Sequence, residues 1–438
     1  MENFGIILFT IIFFSLTWKR FHWGLFFFFL LLPTYLLRFQ IGSVPSTILE
    51  IMILCLVGTY ILKERIYFFS WVKNLFKTQK LLFFGILLFF IGATLGLFVA
   101  TDLQKGLGEW KAFYIEPLLF FFVITAYVSQ QEKKKNIIEN YILLPLLICG
   151  IGTSILAIYQ HFTGWMVPHA FWANRHTYRV TGWYGFPNAV GLFLAPLFVF
   201  AWYFLQEKWK NPQKKSVSGI ISLLFILTAP FALLFAKGSG PILGMLVGFG
   251  FLFFLLKKTR VFIITLGILG FLTLVFAPLP STLKQELFFQ DRSGQIRVSM
   301  WKETKNLLSD SPIFGAGMAS YDEKIIPYHT LVNGEKIEIF HHPHNIFLTL
   351  WVNTGIIGLA GFFCILLWCF IQVYKHTQPA GWSTQGSTKS TLGLSAFVLS
   401  GVITILVMGL VDSPYIKNDL AIVFWIFPAL IILGGKNL

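Results

Sequence analysis

Apolar residues in this chain come in long unbroken runs, not in the alternation of a half-buried strand or the stripe of a soluble helix. The runs fall near 4–18, 22–37, 45–62, 80–100, 110–128, 137–159, 187–206, 219–236, 241–257, 261–279, 345–373, 392–411 and 418–435. Most have about the 17–25 residues a helix needs to cross a hydrocarbon layer. In lipid, every backbone N–H and C=O must be paired within the segment, so such runs predict helices. The expectation is an all-α, polytopic integral membrane protein of about 12–13 transmembrane helices, with 1–438 as a single membrane domain. The first run, Ile6 to Trp18, reads as a retained span. Its flank Met1-Glu2-Asn3 carries no positive charge, and Lys19 and Arg20 follow it.

The polar intervals set the topology. Lys63, Arg65, Lys73, Lys77 and Lys80 share one interval, Lys133-Lys134-Lys135 a second, Lys208, Lys210, Lys214 and Lys215 a third, and Lys257, Lys258 and Arg260 a fourth. Basic loops face the cytoplasm, and these alternate correctly along the chain, with Lys375 in agreement. Counted strictly, the amino terminus is then outside and the carboxy terminus inside. Segments 160–187 and 280–344 fall on the outer face, the second being the longest hydrophilic stretch. Within it Ile296, Met300, Trp301, Thr304, Leu307 and Leu308 follow helical spacing. Ser293 is the expected cap, Asp310-Ser311-Pro312 the stop, and Gly315-Ala316-Gly317 a tight turn. A short amphipathic helix at the membrane surface is expected there.

Composition sharpens this picture. Of 438 residues, 56% are hydrophobic and 12% charged, against about 45–50% and about 25% in soluble domains. A soluble enzyme, a disordered chain and a secreted disulfide scaffold are excluded. The formal charge of +15 suits anionic lipid at the cytoplasmic face. With no basic stripe carrying a nucleic-acid motif, membrane lipid is an expected partner and nucleic acid is not. Cys55, Cys149, Cys364 and Cys369 all lie inside apolar runs, without metal or redox spacing.

The residues able to do chemistry collect on the outer side. His341-His342-Pro343-His344-Asn345 stands where the long loop meets a span. Pro343 suits a first helical position, which places His344 in the first turn, where the helix's partial positive charge disfavours imidazolium. A neutral imidazole there can take a proton from a hydroxyl. The other readings are a metal cluster and a passive interfacial cluster. Adjacent histidines at a helix start seldom share one metal, and no carboxylate is adjacent. Arg179, followed by Pro187 and Asn188 opening the next span, can clamp phosphate through its fork or snorkel at the interface. Arg297 with Arg292 on the loop helix, and Lys237 in the short outer turn Lys237-Gly238-Ser239-Gly240, read either as anion-binding cations or as a solvated face and an interfacial anchor. Lys111 and Glu116 near the outer end of one span, and Asp412 between the last two spans, are functional candidates or mutually neutralising partners. The aromatic outer segment of Trp165, Phe171, Trp172, Tyr178, Trp183 and Tyr184 could stack on sugar faces but reads foremost as an interfacial belt. No nucleotide loop and no outer Asp-x-Asp pair occurs, so no cofactor and no metal is expected.

Taken together these residues resemble the bacterial O-antigen ligase and O-antigen polymerase superfamily. His342-Pro-His344-Asn345, then Gly355-Ile-Ile-Gly358, resembles its His-x-His-Asn and Gly-Ile-x-Gly signature. Arg297-Val-Ser-Met-Trp301 with Pro312-Ile-Phe-Gly315-Ala-Gly317, and Arg179 through Asn188-Ala-Val-Gly191, resemble the motifs that precede it, so the likeness covers about 175–360. Members usually carry Ser-Arg-Gly in the short outer turn, where this chain has Lys237. The resemblance implies a membrane glycosyltransferase. It would move a glycan from a polyprenyl diphosphate carrier, such as undecaprenyl diphosphate, to an acceptor hydroxyl on a lipid core, protein or glycan. The reaction would take place at the outer face of the cytoplasmic membrane, as in lipopolysaccharide or other surface-polysaccharide synthesis. In that reading His344 is the base and His342 orients or binds. Arg179, Lys237 and Arg297 hold the diphosphate, and Asn188, Asn345, Glu116 and Asp412 support them. A polymerase of the same superfamily and, from another class, a lipid or glycolipid transporter are the alternatives.

Overall fold

The computed structural model describes residues 2–41, 44–174, 178–210, 217–276, 281–377 and 392–434. It is an all-α polytopic architecture, as the apolar runs predict. Among the described residues seven helices are long and apolar enough to cross a membrane: Lys80–Phe98, Leu103–Gln130, Lys134–Thr163, Pro187–Lys210, Val217–Ala236, Lys258–Phe276 and Ile346–Lys375. Five shorter apolar helices, Phe4–Lys19, Phe21–Leu30, Ser239–Leu255, Leu394–Met408 and Asn418–Leu433, accompany them. The run at 45–62 begins one long helix, Ile48–Thr78, whose second half carries charges. Thr47 and Glu50 cap it reciprocally, each side chain accepting from the other's backbone N–H. A small antiparallel hairpin, Arg38–Ile41 with Val44–Thr47, precedes it; strands this short carry little apolar pattern.

Two helices wind locally with wider turns, at Trp110–Ile115 and Glu139–Leu143, just before Pro117 and Pro145. A proline inside a helix frees the carbonyl four residues back, and a wider turn absorbs the misfit. The carbonyl freed by Pro117, that of Phe113, accepts a hydrogen bond from the Tyr415 hydroxyl at 2.7 Å.

Close helix crossings fix the interior. Lys80–Phe98 lies against Ile346–Thr377, and a Cβ at Gly96 would stand 2.0 Å from the Asn353 carbonyl oxygen. Only small residues permit such an approach, which is how helices associate in lipid, where no hydrophobic force distinguishes partner from solvent. The Ile346–Thr377 helix kinks at Gly355, which has φ +64° and receives the 311–317 turn: Ile356 N–H donates to the Ile313 carbonyl at 3.1 Å. Helix Ser239–Leu255 packs on Leu394–Met408, where the Ser400 hydroxyl donates to the Gly248 carbonyl at 2.6 Å. No residue of the Lys258–Phe276 span is buried; it touches the Ser239–Leu255 helix and otherwise presents its apolar side chains outward.

In the long outer loop the expected helix runs from Arg292 to Asp310 and ends at Ser311 as the sequence indicates. Its cap is Asp291 rather than Ser293: the Asp291 carboxylate accepts from the Gly294 N–H at 3.2 Å, and Ser293, inside the first turn, accepts from Arg297 instead. Met300, Thr304, Leu307 and Leu308 are buried; the two leucines pack with Ala316, Tyr321, Ile325 and Val352 into a small core of their own.

Candidate active site

One irregular turn, residues 409–417, organises the site. It joins the last two apolar helices, and nearly every polar group on it is used. The Gly409 carbonyl accepts from the Ile346 N–H at 2.7 Å, that of Leu410 from the Asn345 amide at 2.9 Å, and that of Val411 from Arg297 Nε at 3.0 Å. Backbone carbonyls thus draw the histidine segment and the loop helix onto the residues flanking Asp412.

The histidine segment does not start its helix where the sequence suggests. The helix begins at Ile346 and Asn345 caps it, its Oδ1 accepting from the N–H groups of Phe347 and Leu348 at 3.0 and 3.1 Å. His344 therefore lies before the helix, not in its first turn, with φ +48°. A left-handed backbone on a non-glycine residue costs energy and marks a position held by its surroundings. Trp301 is one restraint, its Nε1–H donating to the Pro343 carbonyl at 3.0 Å.

A chain of hydrogen bonds runs through the centre. His344 Nδ1 lies 3.3 Å from Asp412 Oδ1, with side-chain exposures of 20% and 7%. Since a carboxylate accepts only, Nδ1 carries the proton and Nε2 keeps its lone pair free, the arrangement of an oriented base. Asp412 also accepts from the Ser413 N–H at 2.8 Å and from Asn188 Nδ2 at 2.7 Å. Asn188 Oδ1 accepts from Arg179 Nη2 at 2.8 Å, and Arg179 is further held by the carbonyls of Ala236 and Lys237 at 2.8 and 3.1 Å. Burial alone would raise the Asp412 carboxyl. The bonds donated by His344 and Ser413 outweigh it and hold the group below the usual carboxylate range, hence ionised.

His342 plays a different part. Its Nδ1 accepts from the His344 N–H and faces the Ser413 hydroxyl, both at 3.3 Å, so its proton sits on Nε2 and it presents a donor. Burial, with the adjacent His344, pulls it down to about 3, keeping it neutral. Ser413 is fixed by Thr349 at 2.7 Å. Burial and the neighbouring Arg297 lower Arg179 to about 10, where it remains a cation at neutral pH.

The structure thus brings together His342, His344, Asp412, Asn188, Arg179 and Arg297, with Asn345 as the helix cap beneath them. Lys237 joins through its carbonyl; its backbone is left-handed (φ +51°) and its side chain exposed. Glu116 stands apart. Lys111 pairs with Glu50 at 2.9 Å and not with Glu116, whose Oε2 is buried without a hydrogen bond among the described residues. His342, His344 and Asp412 are also the described residues placed to hold a cation, with donor atoms within 4.8 Å of one another. Two imidazoles and a carboxylate can ligate zinc, but here both Nδ1 atoms are engaged in hydrogen bonds within the cluster. Ser413 and Thr349 had no signal in the sequence: they meet each other across 64 residues and are of types common in any helix.

The structure therefore sets a carboxylate-oriented imidazole beside two anchored guanidiniums among the apolar helices of a multi-pass membrane protein. The sequence model of the O-antigen ligase family matches residues 223–363. An O-antigen ligase of Salmonella typhimurium is 23% identical over 305 residues, 65% of this chain and 68% of that protein. A candidate polysaccharide ligase of Rickettsia prowazekii is 24% identical over 277 residues, 59% of this chain and 60% of its own. A second from Rickettsia conorii is 33% identical over 104 residues, 22% and 23%. These matches support the O-antigen ligase superfamily for this chain, and with it a membrane glycan-transfer ligase at family level.

Proposed function

We propose that this protein transfers a glycan from a polyprenyl diphosphate carrier to an acceptor hydroxyl at the outer face of the cytoplasmic membrane, without a metal. Support comes from the chain His344–Asp412–Asn188–Arg179, which couples a proton acceptor to a cation in one hydrogen-bonded unit. The acceptor O–H gives its proton to His344 Nε2 while its oxygen forms a bond to the anomeric carbon. The bond from that carbon to the diphosphate oxygen breaks, and the electron pair leaves with the diphosphate. A single displacement inverts the anomeric centre. Asp412 stabilises the imidazolium that forms. Arg179 uses Nε and Nη2 to hold its place, and no hydrogen bond among the described residues engages Nη1, which can face the leaving group. Arg297 is anchored through Nε and Nη1 and likewise keeps Nη2. Cations aimed where negative charge develops lower the barrier. Neutral His342 donates from Nε2 to a sugar or phosphate oxygen.

The test is transfer by purified protein, given a polyprenyl-diphosphate glycan and candidate acceptors with chelator present. The reading expects carrier diphosphate released in step with one glycosylated product, and loss of both with His344→Ala. A ladder of repeat units would instead make the protein a polymerase. Labelled lipid crossing vesicles with no glycan transferred would make it a transporter.

A further inference from the structure

On the turn 409–417 the polar groups described above are tied to a neighbouring element, with one exception. The carbonyls of Gly409, Leu410 and Val411 and the side chains of Asp412 and Ser413 all have partners, and the Tyr415 hydroxyl donates to Phe113 while accepting from Trp425 Nε1 at 3.1 Å. The Lys417 ammonium makes no hydrogen bond and no ion pair among the described residues. Its recorded neighbours are the faces of Tyr184 and Phe186, at 5.6 and 5.9 Å from the ring centres. Both rings belong to the segment that runs from Arg179 to Asn188. The lysine is half-buried, and its charge is felt at His342 and Asp412. Asp419, two residues on, is buried near the Tyr184 and Tyr35 hydroxyls, and neither of its oxygens makes a hydrogen bond of good geometry among the described residues. Burial lowers Lys417, with the carboxylates of Asp419 and Asp412 opposing and Arg38 adding to it.

An ammonium withdrawn from water without a counter-ion in contact is costly, and the cost is recovered when an anion arrives. Aromatic faces hold such a cation without consuming its donors. No hydrogen bond among the described residues uses the three N–H donors of Lys417, and the rings that hold it lie on the segment between Arg179 and Asn188.

We infer that Lys417 is a binding residue for the donor's diphosphate, a cation on the last apolar helix pair that meets the phosphate oxygens together with Arg179 and Arg297. The inference rests on the transferase reading and adds to it a residue that lies beyond the 223–363 family match.

The experiment uses the full chain in phosphatidylcholine nanodiscs with a labelled short-chain polyprenyl diphosphate as the probe, comparing wild type, Lys417→Met and Lys417→Arg. The methionine variant is expected to bind the probe about 10- to 100-fold more weakly, the weight of one charge-assisted hydrogen bond. The arginine variant, which keeps the charge, should stay within about 3-fold on the same scale. In transfer assays the methionine variant should raise KM for the donor and leave KM for the acceptor and the melting temperature in place. The lysine assignment is overturned if wild type transfers and Lys417→Met binds the probe equally well. It is also overturned if the variant loses stability and kcat together with no change in donor KM, which a purely structural partner of Asp419 would give. Displacement of the probe by phosphatidylglycerol in the disc would overturn it as well, since the lysine would then read membrane lipid. If wild type neither binds the probe nor transfers, the transferase reading fails and takes the lysine with it.

Discussion

Replacing Asp412 by Asn changes no volume and removes one charge, yet it should nearly silence the protein. The carboxylate accepts from Ser413 N–H and His344 on one oxygen and from Asn188 on the other. An amide offers one oxygen and one NH₂. If its oxygen stays toward Ser413 and His344, its NH₂ opposes the Asn188 NH₂, and any flip of Asn188 turns donors toward Arg179. If its NH₂ faces His344, Nδ1 must accept, and the proton moves to Nε2, which then cannot take one from the acceptor. The imidazolium formed in the transition state also loses its partner. Two unit charges at the observed 3.3 Å attract by about 5 kcal/mol at an effective dielectric constant of about 20. Part of this is offset by the lower cost of burying a neutral amide. A loss of about 10³- to 10⁴-fold in kcat follows, comparable to the effect of misplacing this proton in a catalytic triad. The assay is single-turnover release of carrier diphosphate, with donor binding measured separately. Donor affinity should change by less than about 5-fold, since the carboxylate touches no substrate oxygen in this account. An Asp412→Asn protein that is folded and keeps more than about a tenth of kcat would refute the role of oriented base.

Three further outcomes follow from the same geometry. Arg179→Lys keeps the charge but cannot hold Asn188, Ala236 and Lys237 while facing an anion; kcat/KM for the donor should fall about 10- to 100-fold, read by initial rates. Glu303 ties the loop down by accepting from the Thr330 N–H and hydroxyl at 3.0 and 2.7 Å and from Ser299 at 3.1 Å, so Glu303→Gln should cost about 1.5–3 kcal/mol of local stability, seen as faster proteolysis near 330. Burial raises the Glu303 carboxyl, but the bonds from Thr330, His329 and Ser299 outweigh it and lower it; its contribution is present above the unfolded carboxyl's value and is lost as pH falls through the folded one, so variant and wild type should converge in acid. Gly355→Ala meets both a φ of +64° and the Ile313 carbonyl oxygen at 1.9 Å, and should lower the melting temperature and the yield of folded protein.

The membrane fold was readable because lipid imposes one rule, internal pairing of every backbone group, and the apolar runs obey it. The glycines at 355 and 358 were visible as a motif, and the structure gives their cause: a left-handed kink at Gly355, and at Gly358 a Cβ position already filled by the Thr354 side chain one turn back. Histidines, arginines and Asn188 stood out because polar groups at membrane depth are costly. What escaped was pairing across long separations. Lys111 has Glu116 five positions away but takes Glu50, 61 residues back, as its partner. The turn at 409–417 escaped because it works largely through carbonyls, which every residue has. The helix start after the histidines was misplaced because Pro343 is a strong signal for a first turn, while Asn345 caps more favourably two residues on.

Whether His344 works as a base is read most directly from the rate of glycan transfer by His344→Gln beside wild type, in metal-free buffer with chelator, using the same polyprenyl-diphosphate donor. Full wild-type activity is expected under chelation, with a loss of at least about 10³-fold in the variant and donor still bound. Wild-type activity that vanishes with chelator and returns with a divalent cation would contradict that role, assigning His342, His344 and Asp412 to a metal instead of a proton.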